Sequence, residues 1–497
     1  MKKFPVISPK TMYSLDEQTI KVQKITAEAL LMRAGKALTL TLLKTLRFDS
    51  DSNHVLCLIG PGMNGGDALV MANELHQRGH TISLFLASKK LVKASQTMVE
   101  QLDQSIRVIT DLESLKASLD NVQYVIDGLF GIGLNKMISA PYDKIIDTIN
   151  EAKKYVISID IPSGINGQSG LKMNQAIRAD LTLIIGHYKT GNVLQDAKDY
   201  HGKKALVDIG LEPLDNHHQF LVHDGYFKHI QIERKHHSHK YDYGALLTIG
   251  GAHGMMGAPY LTAVSALRMG VGLSVTLYHH EDYHERFQLH PEIMAFRYHN
   301  IHDLSEHLIK KNAIVFGPGL GRNQPENTQI LEFLLETSRP LVIDADGLFY
   351  FKKYINQSVT QPVILTPHMG EMARLFDLPV ETIKANPLDY ISKLTDKGYI
   401  VLLKGPTSIL ADKNEVLLSS FGTPALATPG SGDVLSGMIG ALLARKLNPI
   451  EAVNFALYIH SQAGLTAGIK EGVESVLASD LIHWFPQILA RFNRRKD

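Results

Sequence analysis

Six short apolar runs alternate with helical stretches over the first part of the chain: HVLCLIG (residues 54–60), HTISLFLA (80–87), YVIDGLF (124–130), YVISIDIP (155–162), LTLIIG (181–186) and KALVDIG (204–210). Runs this short and this continuously apolar suit strands covered on both faces, and the helical spacing at residues 67–78 and 142–153 supplies crossovers for parallel pairing. Residues 16–46 read as largely helical. A second series starts at YGALLTIGG (243–251) and continues through VGLSVTLYH, NAIVFGPGLG, PLVIDADGL, PVILTPH and YIVLLKGPTSIL, with a helix-rich section after Pro429. Both series predict α/β folds whose ligands collect at the carboxyl ends of the strands.

With 497 residues the chain exceeds one ordinary core. Two domains are expected, residues 1–215 and 241–497, joined by a polar, histidine-rich linker at 216–240. His236, His237 and His239 lack the cysteines or carboxylates of a specified metal site, and HHEDYHERFQLH (279–290) reads as a solvated loop. The 51 basic and 50 acidic residues nearly cancel, which favours neither nucleic acid nor an anionic membrane as partner. The single cysteine, Cys57, excludes an intrachain disulfide framework and reads as a core thiol. No apolar run reaches the roughly 18 residues of a membrane span, and the start lacks a signal-peptide core, so a cytoplasmic location is expected. Homo-oligomerisation is left open.

Two glycine-rich joins carry the chemistry. GPGMNGGDALV places Gly60, Gly62, Gly65 and Gly66 between a strand and a helix opening near Asp67, where free amides can receive an anion. Its order is not GxGxxG. DGLFGIGL (127–134) and DIPSGINGQSG (160–170) add an aspartate each at a strand end. In the second half, ATPGSGDVLSGM (427–438) sets Gly430 and Gly432 before Asp433 at a helix start, with Gly437 for close packing. It is not a Walker A loop.

These motifs, in this order, resemble the bifunctional NAD(P)H-hydrate repair enzymes over residues 14–210 and 243–484. The resemblance implies a Rossmann-like α/β/α epimerase domain followed by a ribokinase-like α/β dehydratase domain. The first would equilibrate the R and S hydrates at C6 of NADH or NADPH, and the second would use ADP to dehydrate the S form, releasing AMP and phosphate. By similarity Asn64, Asp127 and Ser163 hold potassium. Met63, Asn64, Gly65, Gly66 and Asp67 contact cofactor, while Gly131, Ile132, Gly133, Leu134, Asn135, Lys136 and Met137 cradle its phosphates. Asp160 approaches the hydrated ring as the proton-transfer group. Met63 departs from the family's NNGGD pattern and removes an amide from the ligand side.

In the second domain the resemblance sets Ala258, Gly319 and His368 beside the hydrated nicotinamide, with Glu371 orienting neighbours or a hydrated cation. It makes Lys404, Gly405, Pro406, Thr407 and Ser408 an ADP-binding element and gives Gly432 to phosphate. Asp433 becomes the catalytic base, and magnesium accompanies the nucleotide. The alternatives are a ribokinase-like small-molecule kinase and a nucleotide-binding sensor with an inactive first domain.

Overall fold

The structure, a computed structural model, describes residues 3–46, 53–279, 287 and 289–492. It divides into two compact units, one of residues 4–217 and one of residues 218–497 with the first three residues. Residues 280–286 and 288, within the stretch expected as a solvated loop, lie outside the described residues.

The first unit is a parallel sheet of Arg107–Ile109, Thr81–Leu86, His54–Ile59, Tyr124–Gly128, Tyr155–Ile159, Leu181–Ile185 and Lys203–Val207, in that spatial order. Side chains of one strand alternate between two cores. Val55, Cys57 and Ile59 meet Leu30, Leu38 and Leu69 on one face, while Leu56 and Leu58 meet Leu115, Ile145 and Ile149 on the other. Burial of Cys57 pushes its thiol up to about 12, the inert state of a core cysteine.

The 16–46 helical pattern is two helices, Pro9–Gln23 and Ala27–Leu46. The first starts on the Ser8 hydroxyl, which accepts from Thr11 N at 3.0 Å, and stops at Lys24 in the left-handed region. Val6 and Ile7 pair in parallel with Tyr188 and Lys189, which seats Lys189 inside the unit.

The chain order reverses between His54–Ile59 and Tyr124–Gly128: the chain builds outward from the first to Arg107–Ile109, then returns to the opposite side. Such a switch point opens a crevice at the carboxyl ends. Gly60 ties the two strand ends together there. Its N–H donates to Gly128 O at 3.1 Å, and a Cβ there would stand 1.7 Å from Leu129 O.

The second unit repeats the logic. Its sheet runs Ile293–Arg297, Leu273–Tyr278, Ala245–Ile249, Ala313–Phe316, Leu341–Ile343, Val363–Leu365, Ile400–Leu403, Ser408–Ala411, Val416–Ser419, Gln219–Val222. The strands are parallel as far as Ile400–Leu403. YIVLLKGPTSIL is a hairpin, with Leu402 opposite Leu410. Residues 216–240 also hold strand Gln219–Val222 and the 3-10 turn Asp224–His229, and Phe227 joins the second unit's core fully buried. The switch point lies between Ala245–Ile249 and Ala313–Phe316, whose turns are tied by Gly251 N to Pro318 O at 3.0 Å and Ala252 N to Gly319 O at 2.6 Å. Among the described residues no helix is long and apolar enough to cross a membrane.

Gly60→Ala is expected to destabilise the first unit by more than ~2 kcal/mol, because backbone rather than a movable side chain blocks the new methyl. Faster hydrogen exchange in His54–Ile59 would register this; unchanged protection would contradict it.

Candidate active sites

At the first switch point lies a cavity of about 650 Å³. Helix Met63–His76, which follows His54–Ile59, lines it with Met63, Asn64 and Asp67, and the turn after Tyr124–Gly128 lines it with residues 129–139. Asp160 and the helix residues Tyr13 and Asp16 complete its polar wall. Thus the expected phosphate loop 131–137, Met63, Asn64, Asp67 and Asp160 share one space. Gly65 and Gly66 do not line it. A Cβ on Gly65 would meet Gly60 O at 2.3 Å, and one on Gly66 would press on Leu31 at 3.1 Å. Their small size lets helix Met63–His76 approach the turn at Gly60 and the neighbouring helix Ala27–Leu46. Met63 is half exposed at the rim.

Asp160 follows Tyr155–Ile159 with φ 64, a conformation that costs an L-residue about 1 kcal/mol or more and that collects at functional positions. Its Oδ1 accepts from Ile185 N at 3.0 Å and from the Lys189 ammonium, and Asn192 Nδ2 holds its carbonyl at 2.8 Å. Lys189, fully buried, also donates to Ile185 O at 2.7 Å.

Two more carboxyls share this space. Burial pushes Asp67 well above the usual carboxylate range, reinforced by the charges of Asp160 and Asp16 and opposed by Lys189. Asp16 is raised to about 6 by burial, which Asp160 reinforces and Lys189 opposes. Tyr13 is raised by burial and by the same carboxylates.

Asp127 and Ser163 lie below this wall, completely buried. The Asp127 carboxylate accepts from Ser163 Oγ at 2.5 Å, Ser163 N at 2.9 Å, Ser158 Oγ at 2.7 Å and Leu129 N at 3.2 Å. Burial raises its pKa, and the serine and backbone donors only offset this; among the described residues no cationic side chain pairs with it. Phe130 O takes hydrogen bonds from Ser163 Oγ and Asn64 Nδ2. A buried carboxylate without a counter-charge, set among hydroxyl, amide and carbonyl oxygens, fits a hard monovalent cation. Among the described residues no three His, Cys, Asp or Glu side chains gather as a metal cluster.

In the second unit Lys404, Asp344, Ser436 and Gly432 converge. Lys404 Nζ donates to Asp344 Oδ1 at 2.8 Å and Ser436 Oγ donates to Oδ2 at 2.6 Å. Burial works against charge on Asp344, but the Lys404 ammonium and these hydrogen bonds outweigh it and hold its carboxyl below the usual value. A Cβ on Gly432 would stand 3.5 Å from Lys404 Nζ, so lysine and glycine turn face each other. Asp433 is in the first turn of helix Ser431–Ala444. Burial, then the Asp344 charge, raises its carboxyl to about 7 against the opposing pull of Lys404.

His368 caps helix Met369–Phe376 through Nδ1, accepting from Gly370 N at 3.0 Å, while Glu371 accepts from His368 N at 2.8 Å. The pair forms a capping box beside Lys404, with which His368 makes a parallel bridge. Gly319 packs against Ala258: a Cβ on the glycine would stand 3.1 Å from that of Ala258. Gly405, Pro406 and Thr407 form the turn of the Leu402–Leu410 hairpin; Thr407 is buried with Ser408, whose hydroxyl reaches Gly405 O at 3.5 Å. Gly437 sits where a Cβ would meet Thr262 O at 2.1 Å, so helix Ser431–Ala444 packs tightly on Gly257–Arg268.

The residues missed by sequence reasoning are Tyr13, Asp16, Lys189 and Asn192 in the first unit and Asp344 and Ser436 in the second. Asp344 ends a strand run in IDADG and had a findable signal, an aspartate at a strand end. Lys189 had none.

The folded Asp433 carboxyl sits near 7 against an ordinary 3.8. Folding is therefore unpenalised below about pH 4 and loses stability as pH rises from 4 to 7, where the unfolded chain ionises and the folded one does not. Asp433→Asn is expected to leave stability unchanged at pH 3 and raise it by roughly 2–4 kcal/mol at pH 8. Urea unfolding followed by the single tryptophan, Trp484, reads the second unit; an equal effect at both pH values would contradict the buried-carboxyl account.

The profile of the family described as YjeF-related protein N-terminus matches residues 27–191, and that described as NAD(P)H-hydrate dehydratase matches residues 246–487. A bifunctional NAD(P)H-hydrate repair enzyme of Coxiella burnetii is 32% identical over 93% of this chain and 94% of its own length. One from Dictyoglomus turgidum is 31% identical over 94% and 95%. A crystal structure of a ribokinase-like superfamily protein from Enterococcus faecalis is 25% identical, covering 57% of this chain and all of its own, with a TM-score of 0.51. With a Rossmann-like first unit, a ribokinase-like second unit and relatives matched along nearly their whole length, the chain belongs to the bifunctional NAD(P)H-hydrate repair enzyme family.

Proposed function

We propose that the chain repairs hydrated NADH and NADPH in two steps, with residues 1–215 epimerising the R and S C6 hydrates and residues 241–497 dehydrating the S hydrate with ADP. The observation that carries this reading is the pairing of two separate strand-end sites, each joining a glycine-rich turn to a buried carboxyl. A lone nucleotide-binding domain has no need of two.

In the first site the 131–137 loop and the start of helix Met63–His76 are suited to the dinucleotide's phosphates, and Asp160 to proton transfer at the ring. Asn64, Asp127, Ser163 and Phe130 O would hold potassium, whose positive charge would balance Asp127 and stiffen the loop above it. In the second site the amides of residues 430–432 and the Lys404 ammonium receive the phosphoryl group of ADP. Asp433, near 7, is poised to take the proton of the C6 hydroxyl as its oxygen attacks that group. AMP departs, and loss of phosphate from C6 with a proton from C5 restores the nicotinamide. Ala258, Gly319 and His368 position the ring, and residues 404–408 the nucleotide. Magnesium would enter with the nucleotide, on the phosphates of ADP.

Given both hydrate configurations with ADP and potassium, the protein is expected to consume both and regenerate NAD(P)H. Asp433→Asn should cut regeneration at least about a hundredfold while interconversion of the hydrates continues. Asp127→Ala should blunt activation by potassium and spare dehydration of the S form. Near-normal regeneration by D433N, or an unchanged potassium response in D127A, would remove the corresponding assignment.

A further inference from the structure

The first cavity contains more acid than its charges can balance. Asp16, Asp67 and Asp160 all line it, from helix Pro9–Gln23, helix Met63–His76 and the end of strand Tyr155–Ile159. Lys189 is the buried cation among them, and its Nζ is already bonded to Asp160 and to Ile185 O. Lys136, also in the lining, is exposed. Asp67 is only 7% exposed, and among the described residues its carboxyl has neither a hydrogen bond nor an ion pair with the protein.

An ionised carboxylate in that position would be nine-tenths desolvated, unpaired and close to two like charges, an arrangement that favours the neutral acid. The nearby helix start favours charge by a fraction of this amount. Asp16 is shallower and, near 6, mostly ionised at neutral pH.

We infer that Asp67 is the general acid of the first site: it keeps a proton and gives it to the C6 oxygen of the hydrated ring, while Asp160, ion-paired with Lys189, faces the ring to receive the proton of the returning water. This rests on the epimerase reading of that site. The step balances without a redox partner. Asp67 Oδ–H protonates the C6 hydroxyl, the C6–O bond breaks with its electron pair leaving as water, and the lone pair of the ring nitrogen forms the N1–C6 double bond. Asp160 lies in the same wall to balance the resulting cation. Water then adds to the opposite face and surrenders its proton to the Asp67–Asp160 pair, so no proton is consumed overall.

The role separates cleanly from a structural one, because asparagine reproduces the shape and neutrality of a protonated aspartate but has no acidic proton. The full-length protein with Asp67→Asn is compared with wild type, starting from a single C6 configuration of hydrated NADPH with potassium, over pH 5–9. Its kcat for interconversion should fall at least about a hundredfold with KM within about threefold. ADP-dependent dehydration of the S hydrate by the same preparation should be unchanged. The wild-type kcat should decline as alkaline pH strips Asp67 of its proton, and the residual rate of D67N should lack that decline.

If D67N interconverts the hydrates within threefold of wild type, or loses only KM, the acid assignment is overturned while the epimerase reading stands. If wild type itself cannot interconvert them, the epimerase reading falls first and the acid role with it. Should D67N fail to fold, Asp67→Ser, smaller and equally without an acidic carboxyl, takes its place: interconversion within threefold of wild type overturns the assignment.

Discussion

In each unit a lysine pairs with a buried aspartate at the carboxyl ends of the strands, Lys189 with Asp160 and Lys404 with Asp344, and each leaves a further carboxyl without a cation. Buried ion pairs contribute little net stability, because desolvation cancels most of their attraction. What they fix is which groups carry charge. With the lysines committed, Asp67 and Asp433 lie in space where ionisation is penalised, and both are raised. The glycine-rich turns, the strained Asp160 and the close-packed helices hold these groups in one place. The same scarcity of positive charge recurs below the first cavity at Asp127, where a bound monovalent ion would supply the missing cation.

The alternation of apolar runs and helical stretches was enough to read two α/β units, because strands covered on both faces carry their burial in consecutive residues. The glycine turns and the aspartates at strand ends were equally readable, since strand-end geometry is local. Lys189 was not: it is brought to Asp160, 29 residues away, by a two-residue strand too short to leave a pattern, beside Val6 and Ile7 from the opposite end of the domain. Tyr13 and Asp16 looked like the polar side of an ordinary helix. Gly65 and Gly66 drew attention as ligand contacts; their crowding against Gly60 and Leu31 adds a packing requirement that the motif alone did not reveal. The 399–410 run hid a hairpin, because KGPT turns within an otherwise continuous apolar pattern. Residues 216–240 read as linker from their histidines, while Val222, Phe227 and Ile230 carry them into a core.

Local strain accompanies both sites. Asp160 has φ 64, and Ala345, between Asp344 and Asp346, has φ 50 with ψ −123. Together with the raised carboxyls these are costs that the large cores offset.

At pH 6, below the value at which Asp433 ionises to act as a base, both strand-end sites are expected to carry a neutral carboxylic acid, because the lysine of each is held by another aspartate. Infrared difference spectroscopy of the full-length protein at pH 6, comparing wild type with the Asp67→Asn, Asp433→Asn double variant, tests this directly. The account predicts carbonyl-stretch intensity of protonated carboxyl groups in wild type that is lost in the double variant. Absence of that difference, with carboxylate bands lost instead, would show both side chains ionised and contradict it.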